Sequence, residues 1–161
     1  MSDEASGRYL AFVLGGEVFA VEVERVEVVL ESTPITRVPN APSHLRGVIN
    51  YRGTVIPVAD LKTRFGEGST SSGEGTSVIV LHVRYDEEDL VVGVLADAVR
   101  EVIDLERTSI ERPPQLGNRV DDALIAGIGE HGGEFVVILD IDEAFKASAA
   151  QALDRAAPEA K

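Results

Sequence analysis

The sequence predicts a mainly β fold, a small barrel or sandwich, and three observations carry that prediction. Apolar residues recur with a period of two, in short runs, and the runs come in pairs separated by glycines or by an acidic turn. Short strands spaced about ten residues apart belong to barrels and sandwiches, whereas a βαβ chain would alternate strands with long helical patterns.

In chain order, residues 8–14 and 18–23 form the first strand pair around Gly15-Gly16, a hairpin signal. Residues 23–30 are ambiguous. Val23, Val26 and Leu30 share a helical face, but the run is rich in valine, a strand former. Residues 35–38 add a short strand candidate. The stretch 47–66, GVINYRGTVIPVADLKTRFG, reads as a strand (48–51), a tight turn, a second strand (54–58) and a short helix from Asp60 to Gly66. Gly53 supplies the positive φ of the turn. Pro57 cannot donate a ladder hydrogen bond, so its strand is expected at a sheet edge or a bulge. Arg52, a charge in an otherwise apolar run, is left at the hairpin tip.

Residues 66–75, GEGSTSSGEG, read as a flexible linker between two halves, without the Lys-Ser/Thr ending of a phosphate loop. Beyond it, residues 77–83 and 90–95 pair around the acidic turn 86–89, residues 99–105 add a strand, and 124–129 pairs with 134–139 around Gly132-Gly133. Ile141, Ala144, Phe145, Ser148, Ala149, Ala152 and Leu153 then recur at helical spacing. Asp140 and Glu143 are placed as in a capping box. This helix should pack its Phe145 and Leu153 stripe on the barrel and fray at Pro158.

The 161 residues suit one ordinary domain, or two small barrels sharing a core, and a 44% hydrophobic content can fill it. Twenty-eight acidic against fifteen basic residues give a formal charge of −13. Phosphate backbones and anionic membranes repel such a surface, so neither nucleic acid nor membrane insertion is expected. With no cysteine there is no disulfide, thiolate nucleophile or Cys-ligated zinc. The opening MSDEASGR lacks the basic and apolar regions of a signal peptide, and no apolar run approaches a membrane span, so a soluble cytoplasmic protein is expected.

Chemistry is poorly served. His44, His82 and His131 share no ligand spacing, and the acidic turn lacks the calcium-loop pattern. Asp140, Asp142 and Glu143 are explained by a helix N-terminus more cheaply than by a cation. There is no nucleophile elbow and no His-Glu helix. Neither metal, cofactor nor catalysis is expected. The unusual residues are glycines, a proline and a tip arginine, which serve shape and contact, and that favours a binding module.

Four blocks carry a family pattern: ITRVPN with Ala41-Pro42 (35–42), the 47–61 stretch, GVLADAVREVI (93–103), and Pro113-Pro114 with LIAGIG (124–129) and VVILDID (136–142). Over residues 8–147 the chain resembles CheW, the coupling protein of chemotaxis arrays. The 47–61 stretch is similar to the family's hallmark, an Asn-Leu-Arg-Gly strand continuing into an Ile-Pro-Val-Asp-Leu run. The resemblance implies two interlocked five-stranded SH3-like β-barrels with a shared core, short connecting helices and a C-terminal helix. It sets a short disordered N-terminus (1–7), a single domain of two barrel subdomains (8–147, linker 66–76), and a helix end with a frayed tail (148–161).

It also implies a non-enzymatic adaptor that holds the histidine kinase CheA, through the kinase's own CheW-like regulatory domain, to the cytoplasmic hairpin tips of chemoreceptors. Other CheW-like proteins are further partners in arrays beneath the inner membrane. Carried onto this chain, Arg52, Asn50 and Gly47 line the receptor groove, with Val26 and Val28 on its neighbouring segment. The kinase-binding surface is not identified by sequence.

Two departures stand out. Val28 occupies the position where the family commonly has a glutamate that pairs with the hallmark arginine, and Tyr51 replaces the usual leucine. Either Glu27 or Glu31 substitutes as partner, or Arg52 lacks one. The alternatives are a divergent adaptor of a gliding or pilus motility system that has lost one of the two interfaces, and a small β-barrel hydrolase, which no residue recommends.

Overall fold

Ten strands form where the apolar runs lie: β1 (Ser6–Leu14), β2 (Glu17–Glu22), β3 (Val26–Glu31), β4 (Leu45–Tyr51), β5 (Thr54–Ala59), β6 (Ser77–Tyr85), β7 (Glu88–Ala96), β8 (Ala98–Glu106), β9 (Ile125–His131) and β10 (Glu134–Leu139). The computed structural model describes residues 6–31, 33–40, 45–61, 76–85, 87–106, 110–111 and 125–143. The strands make two five-stranded sheets, ordered β8-β1-β2-β10-β9 and β3-β6-β7-β5-β4. Among the described residues no ladder closes either sheet on itself. Each sheet nevertheless wraps a core of its own, as a small barrel does.

The burial pattern explains why the strands read as continuous apolar runs rather than clean alternations. Tyr9, Ala11, Val18, Ala20, Ile103, Leu105, Val136 and Ile138 fill the first sheet's own core. Ile49, Ile56, Val58, Val78, Val80 and Leu95 fill the second's. The opposite faces of the same strands meet in a shared core, where Leu10, Phe12, Leu14, Phe19 and Val21 pack with Ile79, Leu81, Val83, Val92 and Val94. A strand buried on both faces needs apolar residues at every position. Val18 to Val21 and Val78 to Leu81 are all buried accordingly.

The chain starts in the first sheet, builds the second with β3 to β7, and returns with β8 to β10. The passages between sheets are a 3-10 turn, Val23–Arg25, and the single residue Asp97 between β7 and β8. Asp97 secures its passage by donating its N–H to the Val13 carbonyl (2.9 Å) and accepting from the Gly15 N–H (2.9 Å). The glycine-serine stretch 66–75, expected to separate the halves, lies outside the described residues. The strands on either side of it, β5 and β6, belong to one sheet.

Three expectations change. Residues 23–30 form no helix: after the 3-10 turn, β3 packs its valines on both sides of the sheet. Residues 35–38 contribute one isolated bridge, Thr36 to Val48, rather than a strand. Strand β5, with Pro57, lies between β7 and β4 rather than at an edge. The proline is tolerated there because Val48, its partner on β4, turns its own N–H and C=O outward to Thr36. The Pro57 nitrogen therefore faces β7, and the parallel ladder to β7 starts only at Val58. The short helix after Asp60 is described only at Leu61. The C-terminal helix is described to Glu143, so the Phe145 and Leu153 stripe lies outside the described residues. At its start the Glu143 N–H donates to Asp140 Oδ1 (3.2 Å), the expected N-cap.

Candidate interaction site

The β4–β5 hairpin closes with a two-residue turn in which both central residues have positive φ, Arg52 at 55° and Gly53 at 83°. This is the mirror-image turn that matches the twist of paired strands, and it favours Asn-Gly or Gly-Gly. Arginine in that conformation is strained, since its Cβ crowds the backbone. Asn50 offsets part of the cost: its side-chain oxygen accepts the Gly53 N–H at 3.0 Å. Arg52 itself is exposed, and its guanidinium lies over the Tyr51 ring, 5.2 Å from the centroid.

Among the described residues no carboxylate pairs with Arg52. Glu27 is taken by His82, with Nε2 and Oε1 2.6 Å apart. Tyr51, the residue in place of the usual leucine, supplies a π face instead of a charge. That contact orients the guanidinium without neutralising it.

Gly47 stands at the other end of β4, roughly 13 Å along the strand from Tyr51, and does not join Arg52. Its role is close approach. A Cβ there would lie 2.2 Å from the Thr36 carbonyl oxygen and 2.9 Å from Ile35 Cγ2, because the 35–36 segment crosses directly over it to form the Thr36–Val48 bridge. Gly47→Ala is expected to detach that segment and lower stability by about 1–3 kcal/mol, the usual range for overpacking, read by urea unfolding. Arg46, next to it, is the extra residue of a bulge between the Leu45–Ala59 and Gly47–Val58 pairs. Its guanidinium meets Asp60, a carboxylate with 1% of its side chain exposed, at 2.9 Å. In the sequence Asp60 reads only as a helix start, and the lone arginine before Gly47 is the available signal for this pair.

Val26 and Val28 lie on β3, an edge strand, but the structure separates them. A bulge between them lets Val26 pack on the shared core and Val28 on the second sheet's core. Val28 rests there on the same cluster as Leu30, Ile35, Tyr51 and Val91. Thus Val28 shares an apolar base with the residue under Arg52, and Val26 does not. On the outer face of the hairpin, Val48, Asn50 and Val55 border a depression of about 350 Å³ with Thr33, Pro34 and Thr36, and Val55 is 65% exposed.

At the passage into β3, Arg25 makes two parallel bonds to Asp142, both 2.7 Å. Asp142 also accepts the Arg84 N–H at 2.8 Å. The hydrogen bond from Arg25, then that from the Arg84 amide, hold the Asp142 carboxyl below its ordinary range, and the same pairing raises the guanidinium pKa. The contribution of Asp142 to stability is therefore in place above the ordinary carboxylate value and lost as pH falls through the lowered one. The acidic group 140–143 thus serves a cap and an ion pair. No metal-ligating cluster occurs among the described residues, and no described helix is long and apolar enough to cross a membrane.

The family model described as CheW-like domain matches residues 8–149. The chain belongs to the CheW-like family. Among CheW proteins, that of Klebsiella aerogenes is 30% identical over 84% of this chain and 79% of its own length. The CheW of Thermotoga maritima is 31% identical over 83% and 84%. In structure, the scaffolding protein TtCheW of Thermoanaerobacter tengcongensis superposes with a TM-score of 0.75 at 31% identity, covering 86% of this chain and 87% of that one. The two-sheet architecture is thus the CheW fold.

Proposed function

We propose that the protein is a non-enzymatic coupling adaptor of chemotaxis signalling. It joins the histidine kinase CheA, through the kinase's CheW-like regulatory domain, to the cytoplasmic hairpin tips of chemoreceptors, in arrays beneath the inner membrane. The observation that carries this reading is Arg52: an exposed arginine held in left-handed backbone, where asparagine or glycine would cost less, with no carboxylate paired to it among the described residues. Strain kept at an exposed position points to use rather than to stability. On a chain of net charge −13, the tip is a local reversal of sign suited to an acidic group on an incoming helix. Val28, Leu30, Ile35 and Tyr51 supply the apolar bed against which such a helix packs.

Family membership, and relatives that carry the CheW name over most of their length, support the same assignment. One observation favours a second reading. Val28 in place of the pairing glutamate suits a divergent adaptor that keeps one of its two interfaces. Pull-downs of the full chain against a receptor-tip fragment and against the kinase regulatory domain decide between them. Capture by both is expected. Capture by one alone selects the divergent adaptor, and capture by neither removes the coupling function.

A further inference from the structure

We propose that the Arg25–Asp142 pair is a positioning device for the docking strand β3, setting the bulge that presents Val28 and tying that strand to the start of the C-terminal helix. This rests on β3 belonging to the receptor-docking surface.

The β3–β6 ladder ends at the Val26–Leu81 pair. Beyond it β6 still has backbone groups on that edge, the His82 carbonyl and the Arg84 N–H. Neither is left to water. The His82 carbonyl accepts from Arg25 at 3.1 Å, and the Arg84 N–H donates to Asp142 at 2.8 Å. The arginine and the aspartate, locked to each other by two bonds of 2.7 Å, therefore continue the edge where a strand would have run.

The pair also controls the phase of β3 itself. Glu27 is the extra residue of the bulge, between the Val26–Leu81 and Val28–Val80 pairs. Its carboxylate is held by the His82 ring at 2.6 Å, and the carbonyl of that same His82 is held by Arg25. One residue of β6 is thus gripped at its backbone by Arg25 and at its ring by the bulge. Releasing Arg25 frees the passage Val23–Arg25, on which the register of β3 depends. Without the bulge, Val26 and Val28 would fall on the same face, and a slip carried into β3 would take Val28 off the cluster under Tyr51.

Asp142 belongs to the first turn after β10, so the C-terminal helix and the passage into the docking strand share one ion pair. Around it lie Glu22, 3.8 Å from Arg25 Nε, and the exposed pair Arg84–Asp89 at 3.2 Å. Neither can replace the two-pronged geometry, which lysine cannot reproduce either.

The test uses the full chain carrying Arg25→Gln, Arg25→Lys or Asp142→Asn, the last keeping an acceptor for the Arg84 N–H. Affinity for a receptor-tip fragment is measured well below each melting temperature, with amide exchange of the free proteins. Roughly tenfold weaker binding is expected for both Arg25 variants, with faster exchange in 26–31 and unchanged exchange in the β4–β5 hairpin. The double variant Arg25→Gln/Asp142→Asn should lose no more than either single change. A fall in melting temperature with wild-type affinity and wild-type β3 exchange would overturn the proposal, leaving the pair a mere staple. Full rescue by lysine would also overturn it, because charge alone would then suffice. If the unaltered chain binds no receptor tip, the docking reading fails, while unchanged or altered β3 exchange still decides whether the pair sets the strand. Should Arg25→Gln not fold, Asp142→Asn carries both measurements.

Discussion

Reversing the charge at the hairpin tip, Arg52→Glu, is expected to remove receptor-tip binding while leaving the fold intact. An anchoring arginine contributes about 2–4 kcal/mol on truncation, and each 1.4 kcal/mol is about tenfold in affinity. Reversal adds repulsion against the acidic partner group, so the expected loss exceeds about 100-fold. Stability should hardly move. Arg52 is exposed, and what the fold loses is one contact with the Tyr51 ring, worth about 0.5–1 kcal/mol at an exposed site. That corresponds to a shift of only about 1–4 °C in a domain of this size.

The companion change Arg52→Asn separates the charge from the backbone strain. Asparagine accepts left-handed backbone readily and forms the preferred pair with Gly53. It should leave stability equal or higher while weakening receptor binding, since the charge is gone. Titration calorimetry and thermal melts on the two variants read both quantities. A large loss of stability in Arg52→Glu would make the arginine structural and remove it from the docking surface.

The second large effect is on the shared core. Phe12 and Phe19 face each other across β1 and β2 in register, with stacked rings 5.9 Å apart and Phe12 only 1% exposed. Phe12→Ala should cost about 3–5 kcal/mol, a large part of the 5–15 kcal/mol that usually holds a domain. The expected fall in Tm is on the order of 10 °C. Because this core joins the sheets, both should unfold in one transition. Two separate transitions in the variant would mean that each sheet stands on its own core.

Most strands were legible because a chain buried on both faces writes them as uninterrupted apolar runs, and paired glycines punctuate them. Sheet order was not legible. The parallel contacts of β2 with β10 and of β5 with β7 bring together segments far apart in sequence, and no local pattern records them. Pro57 suggested an edge or a bulge because a missing donor is read without knowing which side needs it. The passages between the two sheets, at Val23–Arg25 and Asp97, are tight and carry no glycine-serine signature that a sequence could show.

At the candidate site, the position of Arg52 came from the turn residues, but its left-handed backbone and its stacking on Tyr51 did not. Gly47 kept its importance with a different cause, the crossing of Thr36. Val26 and Val28 looked equivalent because periodicity cannot reveal a bulge. Arg25 and Asp142 are too far apart in sequence to be paired by inspection, although Arg25 is the only basic residue between Glu22 and Glu31.

Coupling itself is tested by a bridging experiment. Immobilised receptor-tip fragment is incubated with the kinase regulatory domain, with and without the full chain. The kinase domain should be retained in proportion to the protein added, and Arg52→Glu should abolish that retention. Retention that does not depend on the protein, or none when both binary partners are saturating, would contradict its role as an adaptor.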